Sequence, residues 1–216
     1  MNNLGDISTD LHIIFNHLKR YNYDYSILKE IPKNGIYVLF EVGESHKNLN
    51  RIVRIGTHTG ENQLPSRLFQ HFENENQRRS IFRKNIGRCI LNKTHSNYLK
   101  YWDLPFTSII DKEKNFAFID LEFEKNVERQ ISEYLQKNFS FCVFEINSKD
   151  DRLYWESKII ATIAQAENVK PSPCWLGNYS PLKKIKLHGL WQIQGLYGPQ
   201  INPIEFENLK KMILCQ

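Results

Sequence analysis

An arginine and a histidine four residues apart are the first residues that indicate a binding or catalytic site. Arg67 and His71 occupy positions i and i+4 of a helix predicted at about residues 67–72, so both side chains project from one face. Arginine keeps its charge, and its planar fork matches the oxygens of a phosphate. The pair predicts an anion-binding helix face with an imidazole beside it. Each residue alone is also compatible with a solvated or capping side chain.

A single glutamate falls on the apolar stripe of a second predicted helix, at about residues 153–165. The stripe consists of positions three or four residues apart, namely Leu153, Glu156, Ile160 and Ile163. A carboxylate is costly to bury there unless a metal ion or a cationic side chain partners it. Glu156 is therefore a candidate metal ligand. The alternative is a glutamate at the rim of the helix, paired with Lys158 or Arg152.

A predicted β-hairpin supplies a tyrosine and a second arginine. Its strands are residues 35–41 and 51–56, and the register that satisfies both hydrophobic patterns pairs Tyr37 with Arg54. In that register the packed face carries Ile36, Val38, Phe40, Val53 and Ile55. Tyr37 and Arg54 would lie side by side on the open face. A neighbouring guanidinium favours the phenolate form of Tyr37. The alternative is a half-buried strand tyrosine that only packs.

The remaining periodicities predict elements on both sides of this hairpin. Helices are expected at about residues 11–18, 127–135 and 204–214, and strands at 116–123 and 139–146. Helices mixed with mainly antiparallel strands predict an α+β fold, a small sheet flanked by helices. Without repeats or a low-complexity linker, we expect one domain over residues 1–216. Its core would comprise about 30–75 and 115–180, with a basic insertion at 76–114 and an extension at 181–216.

In their order along the chain, these residues resemble the GIY-YIG nuclease family. The segments that carry the resemblance are Gly35-Ile36-Tyr37, Arg54-Ile55-Gly56, Arg67 with His71, and Glu156 on a later helix. It covers residues 30–72 well and 150–180 more loosely, where Asn178 is a candidate for the later asparagine of the family. The second motif departs from the family pattern, because Arg54 stands where a tyrosine is usual. Some restriction-type members are similar in carrying a basic residue there.

The resemblance implies an endonuclease that cuts the DNA backbone with one divalent metal ion. Glu156 would bind Mg²⁺ or Mn²⁺, with waters and a phosphate oxygen completing the shell. Tyr37 would activate the attacking water, Arg67 would stabilise the charge on the phosphate, and His71 would orient the tyrosine or the leaving group. Arg54 in place of tyrosine favours an alternative, a nucleic-acid-binding module of the same fold that has lost catalysis.

A second class of nuclease is a further alternative. Glu156-Ser157-Lys158 is an E-x-K triplet, and together with Asp120 or Asp151 it could mimic the restriction-type PD-(D/E)-x-K motif. That motif requires the triplet on a strand, whereas the apolar stripe through Ile160 predicts a helix.

The charge pattern indicates where DNA would bind. The chain has 216 residues, 29 Lys+Arg against 24 Asp+Glu, and a formal net charge of +5. No acidic residue occurs between positions 76 and 102, where Phe82, Tyr98, Tyr101 and Trp102 accompany a run of basic side chains. We expect a surface that follows DNA phosphates, formed by Arg78, Arg79, Arg83, Lys84, Arg88 and Lys93. A solvated charged face is the alternative.

Other features argue against a membrane or secreted protein. No apolar run approaches the roughly 18 residues of a membrane span, and the first ten residues carry two aspartates and no basic cluster. The four cysteines form no C-x-x-C pair, so we expect reduced thiols and a cytoplasmic location. The oligomeric state is left open.

Overall fold

A computed structural model describes residues 6–215 as an α+β fold, which confirms the predicted class. Four antiparallel strands form one sheet in the order β1-β4-β2-β3, flanked by helices. The strands are β1 (Tyr21–Asn22), β2 (Gly35–His46), β3 (Leu49–Gly56) and β4 (Phe139–Glu145). The helices are α1 (Ile7–His17), α2 (Leu64–Phe72), α3 (Ile81–Lys93), α4 (Leu99–Trp102), α5 (Ile109–Asn115), α6 (Leu121–Asn138), α7 (Lys149–Ala164), α8 (Lys183–His188) and α9 (Pro203–Leu214). No helix in this described range is long and apolar enough to cross a membrane.

The hairpin register differs from the prediction by two residues. β2 and β3 continue to a two-residue turn at Lys47 and Asn48, where both φ angles are positive (48° and 66°), as a type I′ turn requires. From this turn the ladder shifts register twice, and Val53 is the extra residue of the shift beside Leu39. Tyr37 therefore pairs with Gly56, and Arg54 lies opposite Leu39. The predicted Tyr37–Arg54 pairing is wrong because neither the turn nor the bulge was anticipated.

Both faces of the sheet are buried. Ile36, Val38 and Phe40 pack into one hydrophobic cluster with side chains from α1, α7 and α9. Tyr37, Leu39 and Val53 pack into a second cluster with side chains from α2, α3 and α6. The expected open face is therefore wrong, since Tyr37 has no exposed surface, and the bulge moves Val53 away from the face on which it was predicted.

Side chains and a loop satisfy the free edge of β3. The Ile52 amide donates to His12 Nε2 at 3.2 Å, and the Ile55 amide donates to Gln192 Oε1 at 2.9 Å. Between them the Trp191 amide donates to the Val53 carbonyl at 2.8 Å. Helix α1 and the segment around Trp191 thus cover an edge that would otherwise offer unpaired backbone groups.

The segment after α2 is part of the core. Phe82, Ile86 and Trp102 are buried in the second hydrophobic cluster: α3 packs against α6 and, through Phe82 and Phe139, against the sheet, and α4 packs against α3. The strand predicted at 116–123 is wrong: these residues form a 3-10 turn and the first turn of α6. Asp120 caps α6 by accepting from the Phe123 amide at 2.9 Å. This N-cap favours a helix and outweighs the strand propensity of the phenylalanines in this segment.

Candidate active site

Two cavities open beside the carboxyl end of β3 and share Arg67. The larger, about 410 Å³, we call the central cleft, and it is lined among others by Arg54, Arg67, Asn85, Glu156 and Gln192. The smaller, about 370 Å³, is lined by polar side chains including Thr57, His58, Ser66 and Gln70. Elements from distant parts of the chain therefore converge on the helix face predicted to bind an anion.

The two motif glycines permit close approaches that no other residue allows. A Cβ atom on Gly35 would lie 2.2 Å from the Phe144 carbonyl oxygen of the neighbouring strand. A Cβ atom on Gly56 would lie 2.1 Å from the hydroxyl oxygen of Tyr37. The phenol thus occupies the space of the missing side chain, and the G-I-Y and x-I-G segments meet through Tyr37 and Gly56.

Tyr37 and His71 form the inner part of the site. The Tyr37 hydroxyl and His71 Nε2 share a hydrogen bond of 2.8 Å, and His71 Nδ1 shares another of 2.8 Å with the Ser80 hydroxyl. Burial lowers the pKa of His71 well below its usual value, and the charges of Arg67, Arg54 and Arg83 lower it further. His71 is therefore neutral at pH 7. Neither ring lines the two cavities described above.

Arg54 is buried in the wall of the central cleft. Its Nη1 donates to the Trp191 carbonyl at 2.5 Å, and its guanidinium lies 4.9 Å from the centre of the Phe82 ring. Its Nε is buried without a hydrogen-bond partner. Arg54 forms no ion pair in the described range, so the guanidinium presents its positive charge to the cleft.

Arg67 occupies the position between the two cavities. It lies on α2, is half-buried, and donates to Gln70 Oε1 at 3.1 Å. No carboxylate among residues 6–215 forms an ion pair with it. Arg67 and His71 project from one helix face, as the spacing predicts, with the arginine at the cleft and the histidine behind it.

Glu156 is the carboxylate of the central cleft. Its Oε1 accepts from the Thr57 amide at 2.9 Å, directly after the motif glycine. Burial raises the pKa of Glu156, and Arg54, the Thr57 amide and Arg67 oppose that rise. Lys158 pairs with Glu205 at 2.8 Å, and Arg152 donates to the Ile146 and Asn147 carbonyls. The expected alternative, a rim glutamate paired with one of these cations, is therefore wrong.

The E-x-K interpretation is also wrong, because the triplet lies within helix α7. Asp120 caps α6, and Asp151 lies in the first turn of α7. The PD-(D/E)-x-K motif needs the triplet on a strand, so these residues do not reproduce it.

Two amides at the cleft were not identified from the sequence. Gln192 Oε1 accepts from the Ile55 amide, and Asn85 Oδ1 accepts from Arg88 Nη1 at 2.6 Å. Because both partners can only donate, the orientation of each amide is fixed and its NH₂ group is left over. Neutral side chains on a helix and in a loop carry no spacing signal that predicts such positions.

Asn178 lies away from both cavities. It belongs to a 3-10 turn, Leu176–Tyr179, and donates to the carbonyls of Ser172 at 2.9 Å and Pro173 at 3.1 Å. Those bonds order the surrounding loop. The structure does not bring Asn178 to the residues around Glu156.

Most of the predicted basic surface is neutralised within the fold. Arg83 is completely buried, pairs with Glu128 at 2.7 Å and donates to the His71 carbonyl at 3.0 Å, so its expected surface position is wrong. Arg78 pairs with Glu124 at 2.7 Å. Arg88 and Lys84 both approach Asp103, at 2.9 and 3.6 Å. Arg79 and Lys93 are the members of the run that remain exposed without a carboxylate partner among the described residues.

The donor set fits a metal ion held by one protein carboxylate. Residues 6–215 contain no group of three or more His, Cys, Asp or Glu side chains that could surround an ion. Glu156 is half-buried, faces the cleft and has one oxygen free of hydrogen bonds to described residues. Mg²⁺ commonly takes one or two carboxylates and completes its shell with water and phosphate oxygens.

Comparison with known proteins places the chain in a family. A family model described as a GIY-YIG domain matches residues 9–215, and the chain belongs to that family. Members of the GIY-YIG family are generally endonucleases that act on DNA. No curated protein and no solved structure matched the chain.

Proposed function

We propose that this protein is a metal-dependent endonuclease that hydrolyses DNA phosphodiester bonds. The observation that carries the proposal is the composition of the central cleft. Arg54, Arg67 and the NH₂ groups of Asn85 and Gln192 offer hydrogen-bond donors around a single carboxylate, Glu156. Donors and positive charge suit a phosphodiester, and the one carboxylate suits the cation that such chemistry needs.

In this proposal Glu156 holds the metal ion and Arg67 binds the phosphate. Bound Mg²⁺ or Mn²⁺ supplies positive charge that stabilises the transition state of phosphodiester hydrolysis. The Thr57 amide fixes Glu156 Oε1. Arg67 has no carboxylate partner among the described residues, so its fork is free to neutralise charge on the non-bridging oxygens. Arg54, anchored on the Trp191 carbonyl, adds a fixed positive charge.

Tyr37 is the proposed general base, with His71 as its positioning residue. The phenol oxygen lies against Gly56, one residue before the amide that holds Glu156, so neighbouring residues at the end of β3 position both side chains. Neutral His71 orients the hydroxyl. A protonated His71 would face three guanidinium groups, so the imidazole is a poor acceptor for the tyrosine proton.

A second candidate function is a DNA-binding module without catalysis. Two observations favour it: Arg54 stands in place of the usual tyrosine, and Tyr37 is completely buried in the structure. A phenol that never meets water could not act as a base. Both functions use the same cleft and the same phosphate-binding arginines.

The test is nicking of supercoiled plasmid by the purified protein with Mg²⁺, with Mn²⁺ and with EDTA. The nuclease proposal predicts open-circular product in the presence of either metal and none in EDTA. Retained DNA binding without nicking under all conditions would support the binding module instead. Arg67→Ala is the matched negative variant, because its removal leaves the hydrogen bonds of Glu156, Tyr37 and His71 in place.

A cytoplasmic location is part of the same proposal. The four cysteines of the described range are unpaired, two of them buried and two exposed. Unpaired thiols are usual in compartments that keep cysteine reduced.

A further inference from the structure

Asn85 holds a buried amide nitrogen without a partner at the edge of the central cleft. The residue lies on α3 and has no exposed surface. Its Nδ2 forms no hydrogen bond in the described structure. Of the buried side-chain atoms without partners, Asn85 Nδ2 and Arg54 Nε are the two on cleft-lining residues of the described range. A buried donor left unpaired costs stability, so its retention calls for an explanation.

A chain of polar contacts fixes the orientation of this amide. Arg88 Nε donates to both carboxylate oxygens of Asp103, at 2.9 and 3.1 Å. The same guanidinium donates through Nη1 to Asn85 Oδ1 at 2.6 Å. Arginine can only donate, so the accepting atom must be the amide oxygen and the free atom must be the NH₂ nitrogen. The contacts therefore leave the NH₂ nitrogen as the free atom of the amide, and they prevent the oxygen from taking its place.

We propose that Asn85 donates a hydrogen bond to a phosphate oxygen of the DNA strand in the central cleft, and that Arg88 is its positioning residue. This inference rests on the proposed function, because it assumes that a phosphodiester occupies the cleft. It adds a neutral contact to the charged contacts of Arg67 and Arg54. It also gives the predicted basic segment a different role: Arg88 acts through an amide instead of touching the phosphate.

The test separates a neutral donor from a charged one through salt dependence. Affinity for a short fluorescently labelled DNA duplex is measured in EDTA, so that cutting does not interfere, over a range of salt concentrations. Asn85→Ala should weaken affinity about ten-fold, as expected for one hydrogen bond to a charged acceptor. The slope of log affinity against log salt should stay that of the parent, because no counterion-releasing charge is lost. Asn85→Asp should weaken affinity more, since it places a carboxylate beside the phosphate.

Arg88→Met distinguishes positioning from direct contact. If Arg88 acts through Asn85, the variant should lose affinity without a change of slope, and adding it to Asn85→Ala should have no further effect. Asn97→Ala is the matched control, since Asn97 is an exposed asparagine after the same helix and should behave like the parent. Thermal unfolding of each variant confirms that the fold is retained.

Three outcomes would overturn the inference. Parental affinity in Asn85→Ala with reduced thermal stability would show that the amide binds only a structural water. A slope reduced by about one unit in Arg88→Met would make Arg88 a direct phosphate contact. Absence of DNA binding by the parent would reject this inference together with the proposed function. DNA binding without plasmid nicking would reject only the nuclease, and the affinities of the Asn85 variants would still decide the contact.

Discussion

The hydroxyl of Tyr37 lies 2.8 Å from Nε2 of His71, on the side of β2 that the second hydrophobic cluster covers. This contact joins the first motif of the chain to the helix that carries Arg67. The sequence spacing brings Arg67 and His71 onto one helix face, but only the folded sheet brings Tyr37 to the histidine. A variant that removes the hydroxyl but keeps the ring therefore separates a chemical role of the tyrosine from a packing role.

Tyr37→Phe should reduce the cleavage rate by roughly a hundredfold to ten-thousandfold, the usual contribution of a general base. The ring remains to fill the core, and the loss of one hydrogen bond should lower the free energy of unfolding by about 1 to 2 kcal/mol. Single-turnover cleavage and urea unfolding measure the two effects. Tyr25→Phe, at an exposed tyrosine, is the control. Parental cleavage by Tyr37→Phe would show that the tyrosine only packs.

Gly56→Ala should disturb the site through the phenol of Tyr37. The added methyl group would lie 2.1 Å from the hydroxyl oxygen, so either the tyrosine or the end of β3 must move. We expect a loss of about 1 to 3 kcal/mol in unfolding free energy together with loss of cleavage. Gly198→Ala is the matched control, because its added Cβ would meet its nearest neighbour at 3.6 Å. If both variants behave alike, the contact between Gly56 and Tyr37 does not constrain the site.

Arg83 and Arg79 should respond to mutation in different ways. Arg83→Met leaves Glu128 buried without its cation and should lower the free energy of unfolding by about 3 to 5 kcal/mol. Arg79→Met should leave stability unchanged, because the side chain is exposed. If Arg79 contacts DNA, its removal should reduce the salt slope of binding by about one unit. Urea unfolding and salt-dependent DNA binding measure these effects. An Arg83→Met variant as stable as the parent would contradict the role of the buried ion pair.

Acid should destabilise the fold through His12. Burial lowers its pKa to about 4, while its Nδ1 contacts the Ser8 carbonyl at 2.7 Å and its Nε2 accepts from the Ile52 amide. Between about pH 6.5 and 4, His12 is therefore protonated in the unfolded chain and neutral in the folded chain. The contribution of His12 is complete above pH 6.5 and falls by about 3 kcal/mol as the pH drops to 4. Urea unfolding at several pH values should show a weaker dependence for His12→Gln, and an equal dependence would contradict the assignment.

The sequence predicts short-range features of this site well and long-range ones poorly. The shared face of Arg67 and His71 follows from helical spacing, and so does the position of Glu156 on a helix. The hairpin register depends on a turn and a bulge at Val53 that periodicity does not reveal. Each such shift changes which residues face each other, which is why Tyr37 meets Gly56 and not Arg54.

The basic run shows the same limit for electrostatics. Between residues 76 and 102 the sequence lacks acids, but the fold brings Glu124 and Glu128 from α6 to Arg78 and Arg83. A charge count along the chain cannot include partners more than 40 positions away. The amide of Gln192 was not predicted for a related reason, because its partner, the Ile55 amide, becomes a neighbour only after folding.

Glu156→Gln separates metal binding by the cleft from DNA binding. Glutamine keeps the acceptor for the Thr57 amide and the shape of the side chain, and it removes the charge that would hold the metal. DNA affinity in EDTA and the single-turnover cleavage rate across a Mg²⁺ titration are measured for the parent, Glu156→Gln and the control Asp150→Asn, which changes an exposed carboxylate on the same helix. We expect affinity within a few-fold of the parent for both variants and cleavage below detection for Glu156→Gln alone. Equal metal-dependent cleavage by Glu156→Gln and the parent would contradict it.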